Sequence, residues 1–254
     1  LGVHGGSVIT ALLAQNTLGV QAMQPLAPAM VAAQLHSLES DLPPVAAKTG
    51  MLAAAATVGM VADWFAAHPD VILACDPVLA ASDGTPLLDA GGETAFRERL
   101  LPRADLLLPN RPEAERLLGR PIPDDDAAFG DAAEELRALG ARAVWLKGGH
   151  RAGPWAQDYL TDGRARFWLT SPRLAVTHTH GTGCTLSAAW TAFRALGRPW
   201  VEAAVLAKAY LNQGLRLNIK RQGQTVSNGS TVQQTLGTND NTGGFHAFRV
   251  ARVA

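Results

Sequence analysis

Apolar residues along this chain fall into short unbroken runs that alternate with longer stretches of helical spacing. Ser7 to Leu13 is a run with β-branched members, ended by the polar Gln15, Asn16 and Thr17, and it predicts a buried strand followed by a loop. Pro28 opens a stretch with Val31, Leu35, Leu38 and Leu42 on one helical face, and Pro43-Pro44 stops it, so the first helix is expected there. Val45 to Thr49 predicts a strand, Ala53 to Ala67 a helix through Val58, Val61 and Phe65, and Val71 to Cys75 a strand closed by Asp76-Pro77. The alternation continues with a helix over Thr94 to Leu101, a strand over Leu106 to Leu108 and a Pro112-initiated helix to Leu118. A helix over Ala127 to Leu139 and a strand over Ala143 to Leu146 follow. Tyr159-Leu160 and Arg166 to Leu169 flank Asp162-Gly163, a hairpin pattern, and two Ala- and Leu-rich helices are expected over Gly183 to Leu196 and Pro199 to Leu217.

Strands alternating with helices imply βαβ crossovers, hence an α/β fold with a largely parallel central sheet and helices on both faces. One large domain is expected over 1–218. From Ile219 the composition shifts to Thr, Gly, Gln, Asn and Ser without apolar periodicity, so 219–254 is expected to be an atypical, loosely ordered polar tail.

With 47% hydrophobic and 17% charged residues in 254, the chain has the balance of a globular domain able to bury a core. Twenty-two Lys and Arg against 22 Asp and Glu leave no excess of cations for a phosphate backbone, which argues against nucleic acid as a partner. The apolar runs are far shorter than the roughly 18 residues a membrane span requires. Two cysteines, Cys75 and Cys184, cannot build a disulfide framework, and no charged-then-apolar leader opens the chain, so a cytoplasmic location is expected.

In such sheets ligands collect beyond the carboxyl ends of the strands, which singles out Gln15, Met51, Asp76, Asn110 and Lys147. The most informative string is His180-Gly181-Thr182-Gly183-Cys184, because its glycines immediately precede an apolar helix. Unpaired amides and the helix dipole there form a site for a phosphate or a developing oxyanion. A thiol at that helix start is expected to have a lowered pKa, making Cys184 a candidate proton acceptor. The same string also reads as a turn with a buried cysteine. Asp76 reads either as a carboxylate placed to orient a metal-bound water or as a turn-forming Asp before proline. Asn110 and Glu113 offer an amide and a carboxylate suited to hydrated Mg²⁺, and equally a helix cap with an acidic first turn. Lys147, one of only four lysines, ends a strand before two glycines; its ammonium suits a transferring phosphoryl group, or simply a solvated strand end. Neither a Gly-x-x-x-x-Gly-Lys-Ser/Thr loop nor a Gly-x-Gly-x-x-Gly turn after a strand occurs, and His178 and His180 lack the companions of a zinc site.

Seven ordered strings make the constellation specific. They are Ser7-Val8-Ile9-Thr10-Ala11-Leu12, Ala14-Gln15-Asn16-Thr17, Lys48-Thr49-Gly50-Met51-Leu52, Asp76-Pro77-Val78, Pro109-Asn110 with Pro112-Glu113-Ala114, Lys147-Gly148-Gly149-His150, and His180-Gly181-Thr182-Gly183-Cys184-Thr185. Together they resemble the hydroxymethylpyrimidine and phosphomethylpyrimidine kinases of thiamine synthesis, a branch of the ribokinase-like superfamily. The resemblance runs from Leu1 to about Leu217. It implies phosphorylation, by ATP with Mg²⁺, of 4-amino-5-hydroxymethyl-2-methylpyrimidine and of its monophosphate. By the same resemblance, Gln15 would bond the pyrimidine's polar edge while Met51 and Val78 pack on the ring. Gly181, Thr182, Gly183 and Cys184 would form the anion hole, with Cys184 where most ribokinase-like enzymes carry an aspartate base. Lys147 would hold the ATP phosphates; Asp76, Asn110 and Glu113 would organise Mg²⁺ and its waters, with Asp76 and Glu113 as the metal carboxylates. Pyridoxal or pyridoxine kinase activity, a non-catalytic pyrimidine-binding relative and a homodimer stay open. The sequence departs from the family in three places: it shows no initial strand with Gly-Gly-Ala-Gly-Ile-Gln-Ala-Asp, it carries His178 where Asn or Asp is usual, and its end is unusual. The expected domain therefore lacks its natural N-terminal strand and Gly-rich segment.

Overall fold

Alternation of side chains along each strand sorts the apolar residues onto two faces, and a helical layer covers each. The computed structural model describes residues 1–16, 19–81, 83–149, 151–176, 181–222 and 244–249. In chain order the elements are β1 (His4–Ile9), β2 (Ala11–Asn16), β3 (Gly19–Pro25), α1 (Pro28–Asp41), β4 (Ala46–Thr49), α2 (Ala55–Ala67) and β5 (Ile72–Cys75). Then come α3 (Ala90–Ala95), β6 (Leu106–Leu107), α4 (Arg111–Leu118), α5 (Asp126–Ala138) and β7 (Val144–Leu146). The chain continues through β8 (Trp155–Thr161), β9 (Arg166–Pro172), α6 (Thr182–Ala195), α7 (Trp200–Gln222) and β10 (Gly244–Arg249).

The main sheet has the order β1-β10-β4-β5-β6-β7-β8-β9, while β2 and β3 pair as a separate two-stranded unit. The β4–β5, β5–β6 and β6–β7 pairs are parallel; β8 and β10 run against the other six strands. One face packs Leu73, Cys75, Leu107 and Val144 against α1 to α5, through residues such as Val31, Phe65 and Phe129. Their strand neighbours Ala74, Leu106, Leu108 and Trp145 point the other way, onto Leu186, Trp190 and Ala204 of α6 and α7. The expected α/β architecture is therefore present, with helices on both faces.

Three expectations differ from the structure. The strand read over Ser7 to Leu13 is two strands broken at Thr10, whose hydroxyl donates to the Met51 carbonyl at 2.7 Å. The Gln34 side chain takes the Ile9 N–H and donates to its carbonyl, which ends β1. Gln15 and Asn16 consequently lie in β2, paired with β3, rather than in a loop. The helix expected from Thr94 begins at Ala90: Asp89 caps it by accepting the Gly92 N–H, and two glycines in the first turn mask the start in the sequence. It continues as a π turn over Phe96–Leu100 and a 3₁₀ turn over Leu101–Arg103. Finally, α7 runs on to Gln222, and Gly244–Arg249, read as part of a polar tail, enters the sheet between β1 and β4, antiparallel to both. The remaining residues of that segment lie outside the described residues.

A buried ionic knot fixes the loop after β7. Asp158 on β8 accepts from Lys208 Nζ at 2.6 Å, from the Trp145 indole at 3.1 Å and from the Gly148 N–H at 2.9 Å. Removing one partner strands the other charge in a low dielectric, at a cost of about 3–5 kcal/mol. Asp158→Ala is expected to lose stability on that scale in denaturant unfolding. The Asp158→Ala/Lys208→Met double variant is expected to lose clearly less than the sum of the two single losses; additive losses would show that the pair does not act as a unit.

Candidate active site

Parity along neighbouring strands builds this site. Asp76 lies two residues beyond Ala74, and Lys147 two beyond Trp145, so both side chains emerge on the face that α6 covers. There Lys147 Nζ donates to Asp76 Oδ1 at 2.9 Å and lies 3.8 Å from Glu113 Oε2. Asp76 Oδ2 accepts from the Ser187 hydroxyl of α6 at 3.2 Å. The helix begins directly above: a Cβ placed on Gly183 would stand 3.2 Å from Lys147 Nζ and 3.7 Å from Asp76 Oδ2. Gly181 caps α6 in the left-handed region, φ 79°, which a side chain would strain.

Asn110 and Glu113 form a full capping box at the start of α4. Asn110 Oδ1 accepts the Glu113 N–H at 2.9 Å, and Glu113 Oε2 accepts the Asn110 N–H at 2.7 Å. The capping reading is borne out, and the same box aims Glu113 at Lys147. Backbone pairing reinforces it: Lys147 N–H donates to the Pro109 carbonyl at 2.8 Å, bridging the two strand ends. Gly148 has no freedom to carry a side chain, since a Cβ there would sit 1.6 Å from the Gln157 carbonyl oxygen.

Electrostatics follow from burial and from these pairings. Burial alone would raise the Asp76 carboxyl, but the ammonium groups of Lys147 and Lys48 outweigh it and hold Asp76 below its ordinary value. Lys147 is raised above an ordinary lysine, since Asp76 and Glu113 together outweigh the desolvation that would lower it. Glu113 moves the other way: burial, assisted by Asp76, pushes it to about 7 despite Lys147. Cys184 does not have the lowered pKa expected of a helix-start thiol. Lys48, the largest influence, pulls it down, as does Lys147, yet burial with Asp76 and Glu113 carries it above the ordinary thiol value.

A second cluster lies beyond the end of β4. Met51, Ala11, Ala53 and Leu87 are buried together, with Val78, Leu13 and Val20 packed against them. Met51 and Val78 thus share one apolar cluster. Gln15, opposite Val20 on the β2–β3 unit, is exposed. His150, His178 and His180 lie outside the described residues.

The model of the phosphomethylpyrimidine kinase family matches residues 1–229. The chain belongs to that family. A hydroxymethylpyrimidine/phosphomethylpyrimidine kinase of Synechococcus elongatus is 45% identical over 217 residues, 84% of this chain and 81% of the relative. The Escherichia coli protein of the same description is 41% identical over 217 residues, covering 85% and 81%. A thiamine biosynthesis bifunctional protein of Geobacter sulfurreducens is 44% identical over 217 residues; the chain spans 44% of that longer relative. Among solved structures, the phosphomethylpyrimidine kinase of Clostridium difficile aligns with TM-score 0.70 at 32% identity, over 82% of this chain and 85% of that one. The pyridoxal kinase of Staphylococcus aureus with AMP-PCP and pyridoxal aligns with TM-score 0.74 at 28% identity, over 82% and 75%. The fold is accordingly ribokinase-like.

In this family member the structure brings Lys147, Asp76, Glu113, Asn110 and the Gly181–Cys184 turn together. It leaves Gln15 on a separate, exposed strand. Sequence reading missed Ser187, one turn into α6, and Asp158, three strands away from Asp76, because hydroxyls and carboxylates at such positions carry no local pattern. Lys48 was visible only as a member of a matched string.

Glu113 supports a pH test. Its folded value of about 7 lies above the unfolded 4.5, so the folded chain keeps a proton that the unfolded chain has released. The resulting stabilisation is complete below about pH 4.5 and is lost as pH rises through about 7. Glu113→Gln is therefore expected to gain stability relative to the unsubstituted chain between pH 6 and pH 8, measured by denaturant unfolding without ligand. A difference that stays constant over that range would show that Glu113 titrates elsewhere.

Proposed function

We propose that the chain transfers the γ-phosphoryl group of ATP to the hydroxymethyl oxygen of 4-amino-5-hydroxymethyl-2-methylpyrimidine and then to the phosphate of the product. The observation that carries the reading is the buried Lys147–Asp76–Glu113 cluster held under the N-terminus of α6, in a chain whose relatives are named for this chemistry. Phosphoryl transfer needs alignment and charge neutralisation more than covalent help. Lys147 neutralises the phosphates in flight, and the Gly181–Cys184 amides receive the group as it passes.

Mg²⁺ fits the donors present. Asp76 and Glu113 offer hard oxygens around one ammonium, and no group of three or more His, Cys, Asp or Glu side chains gathers among the described residues. That set is too small for an all-protein cage and suits an ion that keeps most of its water and binds one or two carboxylates plus phosphates. Bound Mg²⁺ would supply charge neutralisation across the nucleotide phosphates. Asn110 keeps Glu113 aimed, and Thr185 Oγ1, buried in the first turn of α6 without a hydrogen-bond partner, leaves a donor for a ligand oxygen. Because the Cys184 thiol holds its proton at neutral pH, it does not accept the hydroxymethyl proton, which passes instead to an oxygen of the transferred phosphoryl group late in the transfer, as a loose transition state permits.

Met51 and Val78 form the apolar wall for the pyrimidine ring, and Gln15 closes over its polar edge from the β2–β3 unit. A cytoplasmic location belongs to this proposal and is in keeping with the free thiols of Cys75 and Cys184. Exposed Leu12 and Met23 on β2 and β3 favour a homodimer through that unit, which sedimentation would read directly.

The deciding assay is ADP release with ATP, Mg²⁺ and hydroxymethylpyrimidine, beside pyridoxal and a no-acceptor control. Pyrimidine-dependent turnover supports the reading. Pyridoxal-dependent turnover alone would replace it with the activity named for the S. aureus structure, and silence in a folded chain would leave a binding protein. Lys147→Ala is expected to lower kcat by roughly 10²-fold or more with little change in pyrimidine affinity, since its charge matters most during transfer. Gln15→Ala is expected to weaken pyrimidine binding about tenfold with kcat nearly unchanged; unaltered binding in calorimetry would remove Gln15 from the pocket.

A further inference from the structure

β4 carries a second buried ammonium, for which the reading above has no task. Lys48 is 1% exposed, and no hydrogen bond or ion pair holds its side chain among the described residues. Lysine is almost never buried so completely unless paired, because taking an ammonium out of water costs several kcal/mol. The carboxylate it acts on, Asp76, is already bonded by Lys147 and Ser187, so Lys48 lacks a counter-charge of its own.

The sheet shows where that counter-charge belongs. Lys48 pairs across β4–β5 with Ala74, which lies in the cluster under α6, so Lys48 emerges on the same face as Asp76 and Lys147. Helix α6 packs over β4 and β5. The Lys48 charge is the largest influence on the Cys184 thiol and also acts on Asp76, which places the ammonium close to the start of the helix. In the strand order β4-β5-β6-β7, Lys48 and Lys147 stand on opposite sides of Asp76. Lys48 is on the side of Met51, three residues further along the same chain segment, and hence beside the apolar cluster offered to the acceptor.

We propose that Lys48 holds a phosphate on the acceptor side of the Gly181–Cys184 turn, its ammonium and the turn's amides gripping the group opposite Lys147. The acceptor identity rests on the kinase reading; the phosphate site does not. Two lysines flanking one turn would let the chain hold negative charge on both sides of the transfer, and would favour an acceptor that already carries a phosphate over its plain alcohol.

The test uses inorganic phosphate and the rate at which iodoacetamide alkylates Cys184, read by peptide mass spectrometry. Cys75, fully buried and pushed up to about 12, serves as the silent internal control. In the unsubstituted chain phosphate is expected to protect Cys184. In Lys48→Met the half-protecting concentration is expected to rise at least tenfold, and in Lys48→Arg to stay within threefold, with circular dichroism confirming the fold of each. Protection at the same concentration in folded Lys48→Met overturns the proposal, as does absence of protection in the unsubstituted chain. If Lys48→Met does not fold, lysine-selective isotope labelling reads the unsubstituted chain, where only four lysines give signals. The Lys48 resonance must then move with phosphate over the concentrations that protect Cys184, and a resonance that stays still overturns the proposal. A chain that shows the protection but turns over no pyrimidine keeps this site and loses the kinase reading; turnover without the Lys48 dependence does the reverse.

Discussion

A charged lysine held away from water must be surrounded by opposite charge, and the arrangement of this protein follows from meeting that demand at Lys147. Asp76 takes it at 2.9 Å, Glu113 stands at 3.8 Å, and each of those carboxylates is itself held, one by Ser187 and the other by the α4 capping box. The three groups arrive from β5, α4 and the end of β7. Their meeting requires the sheet register to be right on every strand between them.

The same demand explains the rigidity of the loop that follows. Gly148 is pinned by Asp158, which is pinned in turn by Lys208, and the Gln157 carbonyl leaves no room for a side chain. A lysine on a loose loop would lose its geometry each time the loop moved, and transfer chemistry is sensitive to displacements of about 1 Å. Charge on the site is also unevenly shared. Glu113 is half-protonated near neutrality while Asp76 stays ionised, so one carboxylate balances Lys147 and the other is left to respond to a ligand.

The acceptor side depends on a different constraint. β1 reaches the rest of the sheet only through β10, a segment more than two hundred residues away in sequence, and β1 leads directly into β2 and the apolar cluster with Met51 and Val78. The strand that closes this gap, Gly-Phe-His-Ala-Phe-Arg, does not alternate strictly between apolar and polar residues. Its place in the sheet comes from the unpaired edges of β1 and β4 on either side, which supply hydrogen bonds regardless of side-chain type.

By itself the sequence determined the alternation of strands and helices, the α/β class, the Asn110–Glu113 cap, and the residues at strand ends from which the site is drawn. These are local properties, set by side-chain period, proline and glycine placement and capping chemistry. Tertiary structure alone decided that the run over Ser7 to Leu13 breaks at Thr10, that Gly244–Arg249 is a strand between β1 and β4, and that Cys184 keeps its proton. It also decided that Lys48 belongs with Lys147. Each of these depends on partners distant in the chain: the Met51 carbonyl, the free edges of β1 and β4, the carboxylates of Asp76 and Glu113, and the face that α6 covers. Hydrogen-bond partners and electrostatic fields act through space, so no window along the sequence contains them.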